Sequence, residues 1–373
     1  MNPEVKKTKT GAVRPDEKKT NRFLTGLGQL AIPLIALVLL ILFNLIRDPG
    51  FFKITVGATN GVLKGNVISI IDSASELAII SMGMTLVTAA CGGQDISVGP
   101  VGAIAGAVFV KVLLQWLGGI TVPGILLALF MCILTAIAFK LFNGILVAFF
   151  KIQPMIATLI LFSCGRSIAY WINGDATPQL DSPIITSLGV SIPGVPIPTP
   201  VFWVVAMGII FYVVFKLTNI RLYTETVGIN EGAARLNGIN PILIKLLSFA
   251  MLGICVAAAS VIQICRMGNL SHMTILVDYE MDAILAVAIG GNSLGGGKFR
   301  LSGTIIGAYV IQMLSTTLNS MIKDSPESIK AIKAVVIIVI VVAGSPVIKR
   351  KLTEMAVWVR EQFRRLTAAK EVG

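Results

Sequence analysis

Long apolar runs separated by short polar breaks dominate the chain. A bilayer core asks for about 20 consecutive apolar residues per helix. Runs of that kind cover residues 28 to 47, 67 to 90, 99 to 117, 121 to 140, 153 to 173, 200 to 217, 243 to 264, 302 to 322 and 329 to 347. A further stretch, 273 to 291, is interrupted by Asp278, Glu280 and Asp282 before the apolar run Ala283 to Ile289; it brings the expected spans to ten and is the eighth in chain order. The first run is long enough to cross and no small-x-small cleavage pattern follows it, so it is expected to be retained as a helix. Leu141 to Phe150 is apolar but too short to cross alone; it either extends the fourth helix or re-enters. Residues 174 to 199 are rich in Pro, Gly and Ser, hold two Asp and no Lys or Arg, and are expected to form an external loop without helix.

Composition and charge sharpen this pattern. A content of 55% hydrophobic and 13% charged residues leaves too little polar surface for a soluble fold. Residues 1 to 22 hold seven Lys/Arg against three acids, and residues 348 to 373 repeat those numbers. The positive-inside rule places both ends in the cytoplasm, which demands an even number of spans. The expected protein is therefore all-α and polytopic, with about ten transmembrane helices. It divides into a basic tail (1 to 27), a transmembrane domain (28 to 347) and a basic tail (348 to 373), where Ile348, Leu352, Met355, Val359, Phe363 and Leu366 recur at the spacing of a lipid-surface helix. The inner segments of this topology, with the flanking Lys140, Lys216 and Lys245, collect 22 of the 31 Lys/Arg. Nucleic acid is not an expected partner, because the basic residues flank apolar runs and lack interleaved aromatics. Five cysteines without a Cys-x-x-Cys pair, beside a single histidine, suggest neither disulfides nor a metal site.

The most informative polar segment is the inner loop 219 to 241. Ala233 and Ala234 can make a narrow helical turn that fits a groove on another protein, and Gly238 lets the chain reverse before Pro241 starts the next helix. An ordinary polar turn is the plainer reading of the same residues. Asp95 follows two glycines and precedes Ser97 and Gly99, so it either caps the third helix or meets substrate. Asp72 and Glu76 share one helix face and face the protein interior or the outer surface. Gly102-x-x-x-Gly106 and Gly303-x-x-x-Gly307 read as close helix packing. In GGNSLGGGKF (290 to 299), Asn292 and Phe299 stand where a phosphate loop needs Gly and Ser/Thr, so ATP is not expected to bind there. Asn292 and Ser293 are expected to break the eighth span, with Lys298 and Arg300 at the inner surface. Arg166 and Lys333 sit within apolar runs and need partners.

Gly228-x-Asn230-x-x-Ala233-Ala234-Arg235-x-x-Gly238-Ile239 resembles the coupling-helix loop of ABC importer permeases of the ribose, galactose and xylose type. CGGQDISVGPVGAIAG (91 to 106), FNGILVAFFKIQPMIATLIL (142 to 161) and MDAILAVAIGGNSLGGGKFRLSGTIIGA (281 to 308) resemble further blocks of that family, in its order, over residues 66 to 345. KIQPMIATLIL and DAILAVAIGG lean toward galactofuranose-type members. The resemblance implies ten helices per subunit, a permease dimer (with itself or a homologue), two ABC ATPase subunits that bind ATP-Mg, and an extracytoplasmic sugar-binding protein. It implies a bacterial inner-membrane location and no catalytic residue, metal or cofactor in this chain. Coupling residues would be Gly228, Asn230, Glu231, Ala233, Ala234, Arg235 and Gly238. Path candidates are Asp72, Glu76, Asp95, Ser97, Asp282, Asn292 and Ser293.

Two rival classes start from the acids. An ion-coupled secondary carrier would use intramembrane carboxylates such as Asp72, Glu76 and Asp282. A membrane enzyme would need a cluster such as His272 with Asp278, Glu280 and Asp282, where no known ligand spacing appears.

Overall fold

The computed structural model of the chain describes residues 30, 33 to 56, 63 to 116, 120 to 174, 177 to 321 and 326 to 344. The basic tails expected at 1 to 27 and 348 to 373 lie outside the described residues. Those described form a mostly helical bundle: α1 (Pro33–Arg47), α2 (Asn66–Cys91), α3 (Val98–Lys111), α4 (Val122–Ala148), α5 (Pro154–Asn173), α6 (Pro183–Gly189), α7 (Thr199–Leu217), α8 (Ile220–Ile229), α9 (Glu231–Leu236), α10 (Pro241–Met267), α11 (Tyr279–Ile289), α12 (Leu301–Met321) and α13 (Pro326–Gly344). A π-helical turn, Val112–Trp116, prolongs α3, and a minimal hairpin pairs Thr55–Val56 with Leu63–Lys64. Among the described residues seven helices are long and apolar enough to cross a membrane: α2, α3 with its extension, α4, α5, α7, α10 and α12.

Helix starts follow the local punctuation. Proline occupies the first turn of α4, α5, α6 and α10, where its missing N–H is no loss. Asn240 and Ser182 accept hydrogen bonds from the first N–H groups of α10 and α6. Those same caps correct the expectation of a helix-free loop at 174 to 199. Ser182 and Pro183 start a short helix there, and Gly189 packs it onto α10 at Cys265 and Arg266. The uncertainty at 141 to 150 resolves to an extended fourth helix, since α4 runs unbroken to Ala148.

At the centre α2 and α10 pack along their length. A Cβ at Gly83 of α2 would lie 2.8 Å from the Leu252 Cα of α10, so only glycine permits this approach. The bundle has two ends, one carrying α6 and the other α8 and α9. Two crossings between those ends are discontinuous. Gly92 to Ser97 climbs without helix from the first residue of α5, where Gly93 meets Pro154, to beyond its middle, where Pro100 meets Gly165; α3 begins there. The expected span 273 to 291 is helical only as α11, whose eleven residues reach about 16 Å, roughly half a bilayer core. The chain before it, 268 to 278, descends beside α3 from the α6 end, with Leu270 at the level of Gly106 and Leu276 at that of Gly99 and Gly102. Three acids in the first turns and the left-handed residues Leu276 and Asp278 explain the late start of this helix.

Both Gly-x-x-x-Gly pairs serve packing. Gly303 and Gly307 of α12 lie against the backbones of Gly290 and Ala286, close enough that a Cβ at either would overlap a carbonyl oxygen. Gly307→Ala is expected to destabilise the purified protein by about 1–3 kcal/mol, from forced separation of packed helices. Gly208→Ala, at a position with open space around it, should leave the detergent-solubilised melting temperature unchanged. Equal melting of both variants would contradict this packing.

Candidate functional site

Non-helical backbone inside an apolar bundle leaves N–H and C=O groups that lipid cannot satisfy. In the descending segment, Arg166 of α5 donates through Nη1 to the carbonyls of His272 (2.7 Å), Met273 (3.2 Å) and Ile275 (3.1 Å). The Leu276 N–H donates to Gln263 Oε1 at 2.6 Å. These bonds supply the partner that Arg166 lacked in the sequence. They also bring the N-termini of α3 and α11 to one depth, where a Cβ at Gly99 would lie 2.6 Å from the Leu276 carbonyl oxygen, 2.8 Å from Glu280 Oε2 and 3.1 Å from Arg166 Nη2.

The ascending segment is held by a buried polar network. Asp95 Oδ1 accepts from both the Ser97 N–H and hydroxyl at 2.7 Å. Its other oxygen takes the Lys140 ammonium of α4 at 2.8 Å, with both side chains wholly buried. Lys140 and Asn143 also donate to Ser97 Oγ at 2.9 Å, and the Ile96 N–H donates to Thr158 Oγ1. Asp95 thus ties the start of α3 to α4, while its carboxylate bonds the Ser97 amide in a local turn. Lys140, counted above with the inner-surface charges, belongs to this interior network: a buried carboxylate nearby outweighs the drive to reach water.

Toward the α6 end, Arg266 of α10 pairs with Asp72 at 2.9 Å and with the fully buried Glu76 at 2.6 Å, while Tyr279 of α11 donates to Glu76 at 2.7 Å. This joins α2, α10 and the first residue of α11. Asp282 pairs with Lys333 of α13 at 2.7 Å, and Asp278 with Lys330 at 2.6 Å. Each carboxylate that would serve an ion-coupled carrier therefore has a basic neighbour. His272 packs edge-on against Tyr170, with ring centroids 5.3 Å apart.

At the opposite end, Asn230 caps α9 by accepting from the Ala233 N–H at 3.0 Å, and Gly238 takes a left-handed φ of 76° before α10. Ala233, Arg235 and Leu236 are exposed, Leu236 at 91%, whereas Ala234 packs inward against Ala90, Val227 and Ile244. Glu231 pairs with Lys245, which fastens α9 to α10. Gly228 fits so closely between the Ala89 carbonyl and the Gly297 N–H that a side chain would collide with both. The Gly297 N–H itself donates to Ala89 O at 3.0 Å, and a Cβ at Gly296 would sit 3.0 Å from the Gly92 Cα. Three backbones, the end of α2, the end of α8 and the loop after α11, therefore meet with no side chain between them. In that loop Asn292 clamps the start of α12, accepting from the Arg300 N–H at 2.6 Å and donating to Thr304 at 2.8 Å; the Ser293 carbonyl accepts from Gly296.

A family model described as the branched-chain amino acid transport system / permease component matches residues 66–342. The chain belongs to that permease family. The galactofuranose transporter permease protein of Escherichia coli (strain K12) is 36% identical over 328 residues, covering 88% of this permease and 92% of that protein. The fructose import permease protein of Bifidobacterium longum (strain NCC 2705) is 32% identical, covering 80% and 83%. The ribose import permease protein of Escherichia coli (strain K12) is 34% identical, covering 77% and 84%. No solved structure matches significantly. Family and apolar helices together make the permease a multi-pass membrane protein, and the family is one of transport components, which sets the membrane-enzyme reading aside.

Several residues that matter here escaped the sequence reading: Arg266, Tyr279 and Lys140 as partners of the acids, and Ile229 and Leu236 as exposed apolar groups beside α9. Their partners lie on other helices, so spacing along the chain carries no trace of them. Lys140→Met, which strands the Asp95 charge, is expected to destabilise the permease by about 3–5 kcal/mol. Adding Asp95→Asn, which keeps an acceptor for Ser97, should restore most of the thermal stability in detergent; no recovery in the double variant would count against a coupled pair.

Proposed function

We propose that the chain is the membrane-spanning permease subunit of an ATP-driven ABC sugar importer in the bacterial inner membrane. It crosses ten times, with both termini and the α9 end in the cytoplasm. It works with two ABC ATPase subunits that bind ATP-Mg, a second permease subunit and an extracytoplasmic sugar-binding protein. The relatives' names, galactofuranose, fructose and ribose permeases, support a sugar as the cargo.

The observation that carries the reading is the α9 knob: a short capped helix with an exposed apolar tip, preceded directly by Gly228 of α8, whose backbone packs against the end of α2 and the loop after α11 at once. Exposed Ala233, Leu236 and Ile229 suit the groove of a partner protein, where small and apolar groups pack. Gly228, Asn230, Glu231, Ala234, Arg235 and Gly238 shape and anchor that knob. A push on α9 reaches the end of α2 and the loop after α11 through the glycine junction, because close-packed backbone transmits displacement rather than absorbing it. Asp72, Glu76, Asp95, Ser97, Asp282, Asn292 and Ser293 form the framework of the path. The exposed Asp278–Lys330 pair, 52% and 65% accessible, suits a face turned to a water-lined path between two permease copies, since charge facing lipid costs about 2.5–3.5 kcal/mol per residue.

Proteoliposomes holding the permease, its ATPase and the loaded binding protein are expected to accumulate sugar only with ATP. Uptake driven by an ion gradient with the permease alone would overturn the proposal. Within the assembly, Leu236→Asp should weaken co-purification of the ATPase at least tenfold, by placing a charge in an apolar contact. Gly228→Ala should keep the ATPase bound yet lose stimulation of hydrolysis by loaded binding protein. If Leu236→Asp retains the ATPase, or Gly228→Ala retains stimulation, the coupling assignment fails.

A further inference from the structure

Where α3 and α11 meet, one polar group is left over. Glu280, in the first turn of α11, is 6% exposed, and its Oε2 has no hydrogen-bond partner among the described residues. An unsatisfied buried polar atom costs about 1–3 kcal/mol, and more when charged. The fold bears that cost where the N-termini of α3 and α11 converge inside the bundle. The N-terminal N–H groups of α3 and α11 both end at this depth, and Arg166 Nη2 and Glu280 Oε2 flank the same point beside Gly99. Helix N-termini inside an apolar bundle present fixed donors to a polar ligand without adding mobile charge. Arg166 is partly accessible, and its neighbours Met273 and Asp278 are exposed. The cluster therefore borders the same face that bears the accessible Asp278–Lys330 pair.

We infer that Glu280 and Arg166, with the N-termini of α3 and α11, form a transit site for a neutral polyhydroxylated solute, in which Glu280 accepts a hydrogen bond from a sugar hydroxyl. This rests on the transport reading above and adds the residues that touch the cargo. The chemistry is complementary: a carboxylate accepts from one hydroxyl, while the planar guanidinium and the helix N–H groups donate to its neighbours. An anionic cargo is disfavoured by the Glu280 charge, and an apolar one would leave the donors unpaired. A passing hydroxyl adds a partner for Glu280 Oε2.

The test uses the complete assembly in proteoliposomes, with tritiated D-ribose, D-fructose and D-galactose, and takes as probe the sugar that the wild type carries. Rates are compared for that sugar and its deoxy analogues with the binding protein saturated by each, so that delivery is equal. The wild type is expected to carry at least one deoxy analogue tenfold or more slowly than the parent. Glu280→Gln should slow the parent sugar about tenfold and bring that analogue to within twofold of it, because the missing hydroxyl no longer has a partner to lose. Glu280→Asp, which keeps the acceptor, should retain the discrimination, and it carries the test if Glu280→Gln does not assemble. Unchanged parent rates in Glu280→Gln, or equal slowing of parent and every analogue, would overturn the site while leaving the transport reading intact. A wild-type assembly that carries none of the three sugars would overturn both.

Discussion

A backbone amide in hydrocarbon has no solvent to fall back on, and two crossings of this bundle break that constraint by running through the membrane region without helix. Much of the distinctive side-chain chemistry compensates for them. Arg166 holds three carbonyls of the segment before α11, Gln263 accepts the Leu276 amide, and Asp95 and Thr158 accept the Ser97 and Ile96 amides of the segment before α3. Regular helices of the same length would need none of these residues. The broken crossings in turn end two helix N-termini in the interior, which is what makes a polar site possible in an apolar bundle.

Once polar groups are buried for that purpose, further buried charges follow. An unpaired carboxylate is costly inside the bundle, and Asp95 is matched by Lys140 from α4; Glu76 is matched by Arg266 and Tyr279 from α10 and α11. Such pairs contribute little net stability over apolar packing of equal volume. They do fix which helices stand beside which, and the two networks sit at different depths: one pins the ascending segment to α4, the other pins α2 to the start of α11. Glycine contacts such as Gly228 on Ala89 add backbone-to-backbone ties between helices.

Glycine does opposite things in the two halves of this design. At Gly238 the left-handed turn needs the absent Cβ for conformational freedom; at Gly228, Gly303 and Gly307 it needs it for proximity, because a single methyl would hold the backbones apart. The close contacts make α12 and α11 one unit, and they join the segment that carries α9 to the long helices of the bundle.

Hydropathy and punctuation were enough to locate the long helices, because a bilayer imposes the same demand on every crossing and prolines and cap residues act within one turn. The α9 knob was legible for the same reason: Asn230, the paired alanines, Gly238 and Pro241 are local signals. The ordered blocks between residues 66 and 345 were enough for the family, since a covalent string preserves order and spacing. Three things were settled only by the tertiary structure. The short helix at Pro183–Gly189 depends on a cap whose strength local composition understated. The break of the eighth span into segment and half-helix depends on Arg166, more than a hundred residues away. The partners of Asp72, Glu76, Asp95 and Asp282, and the inward turn of Ala234, depend on which helix faces lie together. A buried charge announces in sequence that it needs a partner, but the partner's identity is a property of packing, which one chain's local pattern does not encode.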